Sequence, residues 1–258
     1  MNIVVCVKQV PNTNEVKTDP KTGTLIREGV PVIINPEDKV AVEAALQLNG
    51  NVIVLSMGPP QAEEALREAL AMGAHEAMLL CDVKFAGSDT WATANALAAA
   101  IKRLSYDLII CGRQAIDGDT AQVGPQLAES LALPQISYVQ KIEINENKII
   151  AHRELEDGYE IVEAKLPALI TVTKELHKPR YASLHGINSA YEKEIKVLTA
   201  KDIGADEKTV GLKSSPTKVK KIFTPQGKSA GVKLEGDIKT VCQKLICILK
   251  EKEIIREF

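Results

Sequence analysis

What most constrains this chain is an alternation that begins at its first residues and runs to about residue 133. Short apolar runs, Asn2–Val7, Asn51–Met57, Ala77–Cys81 and Asp107–Gly112, read as buried strands. Stretches with apolar residues at helical spacing separate them. One opens at Asn35-Pro36-Glu37-Asp38, where Asn35 suits an N-cap, Pro36 the first helical position and two acids the first turn. Val40, Ala44 and Leu48 then follow on one face. A second helix is expected over Gln61–Met72, stopped by Gly73. A third covers Asp89–Leu104, with Trp91, Ala94, Leu97, Ala98, Ile101 and Leu104 on one face, and a fourth covers Thr120–Leu131. Such alternation makes βαβ units. The expected fold is α/β, an open, mostly parallel sheet with helices on both faces and right-handed crossovers.

The pattern changes at Pro134. Ser137–Ile144, Lys148–Leu155, Tyr159–Lys165 and Ala168–Thr173 read as strands, and Glu146-Asn147 and Asp157-Gly158 as turns, so this region is expected to be a set of hairpins. Lys178-Pro179-Arg180 interrupts it, and a short helix is expected to about Glu194. Near the N-terminus, Val16–Gly23 reads as a turn between two short extended pieces. Beyond Lys201 the chain is polar and turn-rich until Asp237–Phe258, where Val241, Leu245, Ile248 and Leu249 resume helical spacing. The expected division is an α/β domain over 1–200 with its hairpin extension, and a C-terminal arm over 201–258 with too little apolar content for a core of its own.

Composition excludes several functions. The formal net charge of −2 leaves no basic footprint for nucleic acid. The N-terminus enters an apolar run without the basic flank of a secretory signal, and no apolar stretch is long enough to cross a bilayer, so a cytoplasmic location is expected. The five cysteines form no CxxC, and Cys6, Cys81 and Cys111 read as small buried thiols. The chain has no GxGxxG after the first strand, no P-loop and no GxSxG. Its four histidines are scattered, so no nucleophile-and-base pair can be assigned, and no metal site is expected.

The densest run of chemistry-bearing residues is Cys111–Pro125, which leaves a strand, loops, and enters a helix. Ligands bind beyond the carboxyl ends of strands in open parallel sheets. Gly112 and Gly118 allow close backbone approach, Asp119 or Thr120 can cap the helix, and Gln114 and Gln122 can donate to oxygens. The N–H groups of residues 120–124 suit a phosphate. Gly87-Ser88-Asp89-Thr90 offers a second helix start on the same edge, and Asn35-Pro36-Glu37-Asp38 a third, although each is also an ordinary cap.

Several segments in order resemble the electron-transfer flavoprotein β family: Val7-Lys8-Gln9-Val10-Pro11, Asn35-Pro36, Leu70-Ala71-Met72-Gly73-Ala74, Gly112-Arg113-Gln114-Ala115-Ile116-Asp117-Gly118-Asp119, Leu166-Pro167-Ala168 and Pro179-Arg180-Tyr181-Ala182-Ser183-Leu184. The resemblance implies a heterodimer whose larger α subunit carries an electron-transferring FAD, while the β subunit supplies an adenine-nucleotide fold and an arm that embraces α. Phe85–Ala94 and Asp117–Pro125 resemble the electron-bifurcating subgroup. There the β nucleotide is an FAD that takes a hydride from NADH and sends electrons to ferredoxin or flavodoxin and, through α, to a flavin-dependent dehydrogenase or reductase. In respiratory members the nucleotide is a structural AMP. An adenine-nucleotide α-hydrolase-like enzyme shares the sheet architecture, but it needs a phosphate loop after its first strand, which Val7–Pro11 is not.

The cofactor set implied by these loops and the resemblance is Cys6, Asn35, Pro36, Asp38, Met57, Ser88, Asp89, Thr90, Thr93, Gly112, Arg113, Gln114, Asp117, Gly118, Asp119, Thr120, Ala121, Gln122, Val123 and Gly124. The partner set is Tyr181, Leu184 and Ile187. Leu184 matches the leucine of the family's recognition loop, while from its spacing alone it could equally tuck onto its own core.

Overall fold

The structure is a computed structural model and describes residues 1–12, 31–220 and 231–255. The turn expected at Val16–Gly23 lies outside them. Strand β1 (Asn2–Cys6) is followed by the short pair β2 (Gln9–Pro11) and β3 (Val32–Ile34), then α1 (Pro36–Gln47), β4 (Asn51–Met57), α2 (Glu63–Met72), β5 (Glu76–Leu80), α3 (Thr90–Ile101), β6 (Leu108–Gly112) and α4 (Val123–Leu131). The second half holds β7 (Gln135–Asn145), β8 (Lys148–Glu154), β9 (Tyr159–Lys165), β10 (Ala168–Val172), α5 (Leu184–Glu192), β11 (Ile195–Leu198), the single turn α6 (Gly211–Ser214) and α7 (Ile238–Glu251).

Among the described residues, nine strands form one sheet in the order β11-β5-β4-β1-β6-β10-β7-β8-β9, parallel from β11 to β7 and antiparallel through β8 and β9. Successive residues of a strand face opposite sides of the sheet. Ile3 and Val5 therefore join α1, α2 and α5 on one face, while Val4 and Cys6 join α3, α4 and residues 200–210 on the other. The α/β architecture expected from the alternation is the one observed.

Five local readings are corrected. Ala168–Thr173 is no hairpin strand: β10 lies parallel between β6 and β7, and its five residues are all buried, as a central parallel strand requires. Strand β11, paired with β5 at the sheet edge, went unforeseen because Ile195–Leu198 is too short to show a period. The fourth helix starts at Val123, not Thr120. Asp119 and Ala121 take left-handed backbone (φ 45° and 53°), and the N-cap is Gln122, so neither Asp119 nor Thr120 caps it. Trp91 remains exposed, because the burial of α3 is carried by Leu97, Ile101 and small alanines that let the helix approach the sheet closely. Cys6 and Cys111 are buried as expected, but Cys81 lies just past β5 and is half-buried, and Cys242 and Cys247 are exposed.

The chain divides into two compact units, Met1–Ile222 and Phe223–Phe258. The stretch expected to leave the domain at 201 instead begins by packing on it. Ala200, Ile203 and Val210 join the cluster around α3, apolar anchors too sparse to register as a pattern. Within the second unit, α7 buries none of its side chains and exposes Ile238, Leu245 and Ile246.

Candidate functional site

Running out from β1, the chain places β4 and β5 to one side and β6 and β10 to the other. The crevice between β1 and β6, at their carboxyl ends, is thus a topological switch point. Cys6 and Cys111 are register partners across it. Contact with the Cys6 thiol, and then burial, raises the Cys111 pKa well above the ordinary value, so Cys111 stays neutral in the floor of the crevice.

The first turn of α1 holds one wall. Asn35, Glu37 and Asp38 are all buried, which polar side chains tolerate only when hydrogen-bonded. Asn35 is at the N-cap, yet its side chain makes no capping bond. Instead its Nδ2 donates to the Gln114 carbonyl (2.8 Å), and its Oδ1 accepts from the Ile116 N–H (3.1 Å). Glu37 accepts from the Gln114 N–H (3.0 Å) and pairs with Arg113 (2.9 Å). Burial raises its pKa, and the Gln114 and Arg113 bonds offset part of that rise. Asp38 accepts from the Lys8 N–H (2.8 Å). Burial pushes its carboxyl up to about 7 against the pull of Asn35, the Lys8 and Gly112 N–H groups and the Lys8 charge. The first turn of α1 is therefore committed to shaping the 113–117 loop.

The acids of the loop are held by neighbouring side chains: Lys8 Nζ grips both oxygens of Asp117 (2.7 and 2.8 Å), and Gln114 Nε2 donates to Asp119 (3.0 Å). A Cβ on Gly112 would stand 2.3 Å from Asp38 Oδ1, and one on Gly124 2.4 Å from the Thr171 methyl. A Cβ on Gly118 would meet nothing within 4 Å. Two of these glycines thus serve close packing within the fold, and one borders open space. Thr120, Ala121, Gln122 and Val123 carry the loop into α4, whose first N–H groups have no intrahelical partner.

The second loop is partly occupied by the chain itself. Asp89 caps α3 through the Ala92 N–H (3.0 Å), but its other oxygen accepts from both the N–H and the hydroxyl of Thr217 (2.8 Å each). Burial raises the Asp89 pKa, and these bonds outweigh it, holding the carboxyl below its ordinary value. Ser88 Oγ accepts from the Gly211 N–H (3.0 Å). Thr90 Oγ1 donates to Gln122 Oε1 (3.0 Å), which joins the two loops, and Thr93 lies half-buried one turn further along α3. Met57 ends β4 on the same edge.

Three polar atoms buried at these strand ends have no hydrogen-bond partner among the described residues: Ser56 Oγ in β4, Arg113 Nε after β6 and Thr173 Oγ1 after β10. The Arg113 guanidinium also lies over the Tyr138 ring, 6.0 Å from its centre, and Tyr138 itself takes left-handed backbone (φ 59°). Orphaned polar atoms, open space at Gly118 and a helix start on one edge fit an anionic ligand with many polar groups.

Tyr181, Leu184 and Ile187 do not join this cluster. They lie on or just before α5, against the α1 and α2 face of the sheet. Leu184 is 87% exposed, which removes the possibility that it tucks onto its own core. The base of α5 is fixed. Arg180 pairs with Glu43 (2.8 Å), Arg67 donates to the Ala190 and Lys193 carbonyls (2.6 and 2.5 Å), and a Cβ on Gly186 would stand 2.4 Å from the Ala71 carbonyl oxygen. The sequence placed Glu37 on this edge only as part of a helix start, and Lys8, Tyr138 and Thr217 were not among the expected site residues. Each acts on residues far away in the chain, and no local pattern marks them.

A family model described as "Electron transfer flavoprotein domain" matches residues 22–203. The chain is 58% identical to "Electron transfer flavoprotein subunit beta" of Thermoanaerobacterium thermosaccharolyticum, over 99% of this chain and 100% of that one. It is 54% identical to "Caffeyl-CoA reductase-Etf complex subunit CarD" of Acetobacterium woodii, over 99% and 100%. It is 46% identical to "Acryloyl-CoA reductase electron transfer subunit gamma" of Anaerotignum propionicum, again over 99% and 100%. With the doubly wound sheet and its loaded switch point, these matches show that the chain belongs to the electron transfer flavoprotein family, among the β subunits that work with an α partner.

Proposed function

We propose that this subunit holds an FAD across the crevice between β1 and β6, and that this flavin receives a hydride from NADH. Electrons then leave toward a ferredoxin or flavodoxin and, through the α-subunit FAD, toward a flavin-dependent reductase or dehydrogenase. The carrying observation is convergence: the 113–124 loop, the α1 first turn and the α3 start meet at one switch point, beside polar atoms that lack partners. The names of the relatives from Acetobacterium and Anaerotignum support a CoA-ester reductase as the partner.

The roles of the chain's own groups follow from their positions. The N–H groups at the start of α4 face the phosphates, with Gln122 and Thr90 beside them. Arg113, fixed by Glu37, supplies a stationary positive charge, and Asn35 and Asp38 set the loop's shape without touching the ligand. A bound flavin supplies the hydride chemistry, and the protein supplies position and electrostatics. Leu184 and Ile187, three residues apart on α5, present an apolar pair to the dehydrogenase. Residues 223–258 form the arm that engages α.

One observation favours the second reading, a structural AMP. At the second helix start the donors are already used within the chain, the Ser88 hydroxyl on the Phe85 carbonyl and the Asp89 N–H on Ser215 Oγ. Acid release of nucleotides from the purified two-subunit complex decides between them. Two FAD per heterodimer supports the hydride-accepting role, one FAD plus one AMP supports the structural role, and one FAD with no second nucleotide refutes both.

A further inference from the structure

We propose that Thr217, acting through Asp89, couples the root of the C-terminal segment to the nucleotide site, so that each steadies the other. This rests on the reading that the 112–124 loop holds the nucleotide.

After β11 the chain returns to the carboxyl edge and follows the 82–90 loop. The Ala200 N–H donates to Asp82 (3.0 Å), the Leu212 N–H to the Ala86 carbonyl (3.2 Å), and the Gly211 N–H to Ser88 Oγ (3.0 Å). Only glycine permits this course at 211. Its backbone is left-handed (φ 77°), and a Cβ there would stand 2.3 Å from the Lys84 carbonyl oxygen. The Asp89 N–H then donates to Ser215 Oγ (2.9 Å), and Asp89 Oδ2 takes the two bonds from Thr217.

Asp89 is thus a hub. One oxygen caps α3, while the other oxygen and the N–H hold residues 215–217. The next residue, Thr90, donates to Gln122, the N-cap of α4. An unbroken run of bonds therefore leads from Thr217, a few residues before the second compact unit begins, to the helix start proposed to face the phosphates. An aspartate serving only as a cap needs the Ala92 bond alone. Its second oxygen makes two further charge-assisted bonds, to an exposed residue more than a hundred positions away, so the one carboxylate ties the start of α3 to residue 217.

Thr217→Val removes the hydroxyl and keeps the shape, and Thr217→Ser restores the hydroxyl. Thr217 is exposed, so both variants fold. In the two-subunit complex, the measured quantity is the rate at which the β-side adenine nucleotide leaves on dilution, with Gly118→Val as the control for the site itself. The expected result is loss about fivefold faster in Thr217→Val, the low end of ordinary coupling between sites, with Thr217→Ser like the parent. Stripping the nucleotide from the parent is also expected to raise amide hydrogen exchange across 210–217. Retention unchanged in Thr217→Val while Gly118→Val loses nucleotide overturns the coupling and leaves the site reading standing. Retention unchanged in both variants overturns the site reading and the coupling with it. Equal loss in Thr217→Val and Thr217→Ser overturns the hydroxyl's role.

Discussion

Gly112→Ala is the sharpest test of how the switch point is built. The added methyl would lie 2.3 Å from Asp38 Oδ1 and 2.8 Å from both the Asp38 nitrogen and the Glu37 carbonyl carbon. Two of those three atoms are backbone, so no rotamer change relieves the overlap. Moving α1 away would stretch the Lys8–Asp38, Glu37–Gln114 and Asn35–Gln114 bonds together. Overpacking of a tight interior costs about 1–3 kcal/mol, and a site this braced belongs near the top of that range. For a chain of this size that is a drop in melting temperature of roughly 5–10 °C. Thermal unfolding by circular dichroism reads it, and nucleotide content after gel filtration reads the site. Gly118→Ala is the internal control, because its methyl meets nothing within 4 Å and should leave the melt unchanged. If Gly112→Ala melts with the parent and keeps its nucleotide, the close-packed wall described here is wrong.

Leu184→Ala removes an exposed side chain, so stability should move by less than about 0.5 kcal/mol and nucleotide content should hold, while electron delivery to the partner dehydrogenase falls. Lost nucleotide or a lowered melt in that variant would place Leu184 in the fold instead of at a docking face. Asp38 holds its proton up to about pH 7 in the folded chain, against 3.8 ordinarily. The unfolded chain releases that proton first, so the contribution of Asp38 to stability is complete below about pH 4 and is lost as pH rises to about 7. Asp38→Asn should flatten that part of the stability curve, and a slope identical to the parent's would refute the assignment. Deleting 223–258 should leave a folded first unit that no longer copurifies with α, whereas copurification at full stoichiometry would exclude the arm.

The doubly wound half was legible because its strands are mainly apolar runs alternating with helical spacing: Asn51–Met57 and Gly73 fall where the pattern puts them. The edge strand β11 was not, because four residues carry no period. Strand β10 was recognised, but its direction was not. A buried five-residue run reads the same whether its neighbours are parallel or antiparallel. At the site, the glycines and the loop–helix junctions were visible, since they are local chemistry. Which side chains face a ligand and which brace the loop was hidden. Asn35 looks like a cap and Glu37 like a favourable charge on a helix start until Gln114 and Arg113 arrive from almost eighty residues away.

Strand β10 also governs how the molecule can be divided. The composition break at Pro134 invites a cut there, with a nucleotide-binding half before it and a hairpin module after. But β6 does not pair with β7: β10, a strand made some sixty residues after β6, lies between them and bonds to both. A fragment ending at 133 would expose β6 as a bare, wholly apolar edge beside the switch-point crevice, inviting strand-to-strand aggregation. A growing chain cannot cover the outer edge of β6 until residue 172 has emerged, so the two apparent modules are one folding unit with a late keystone.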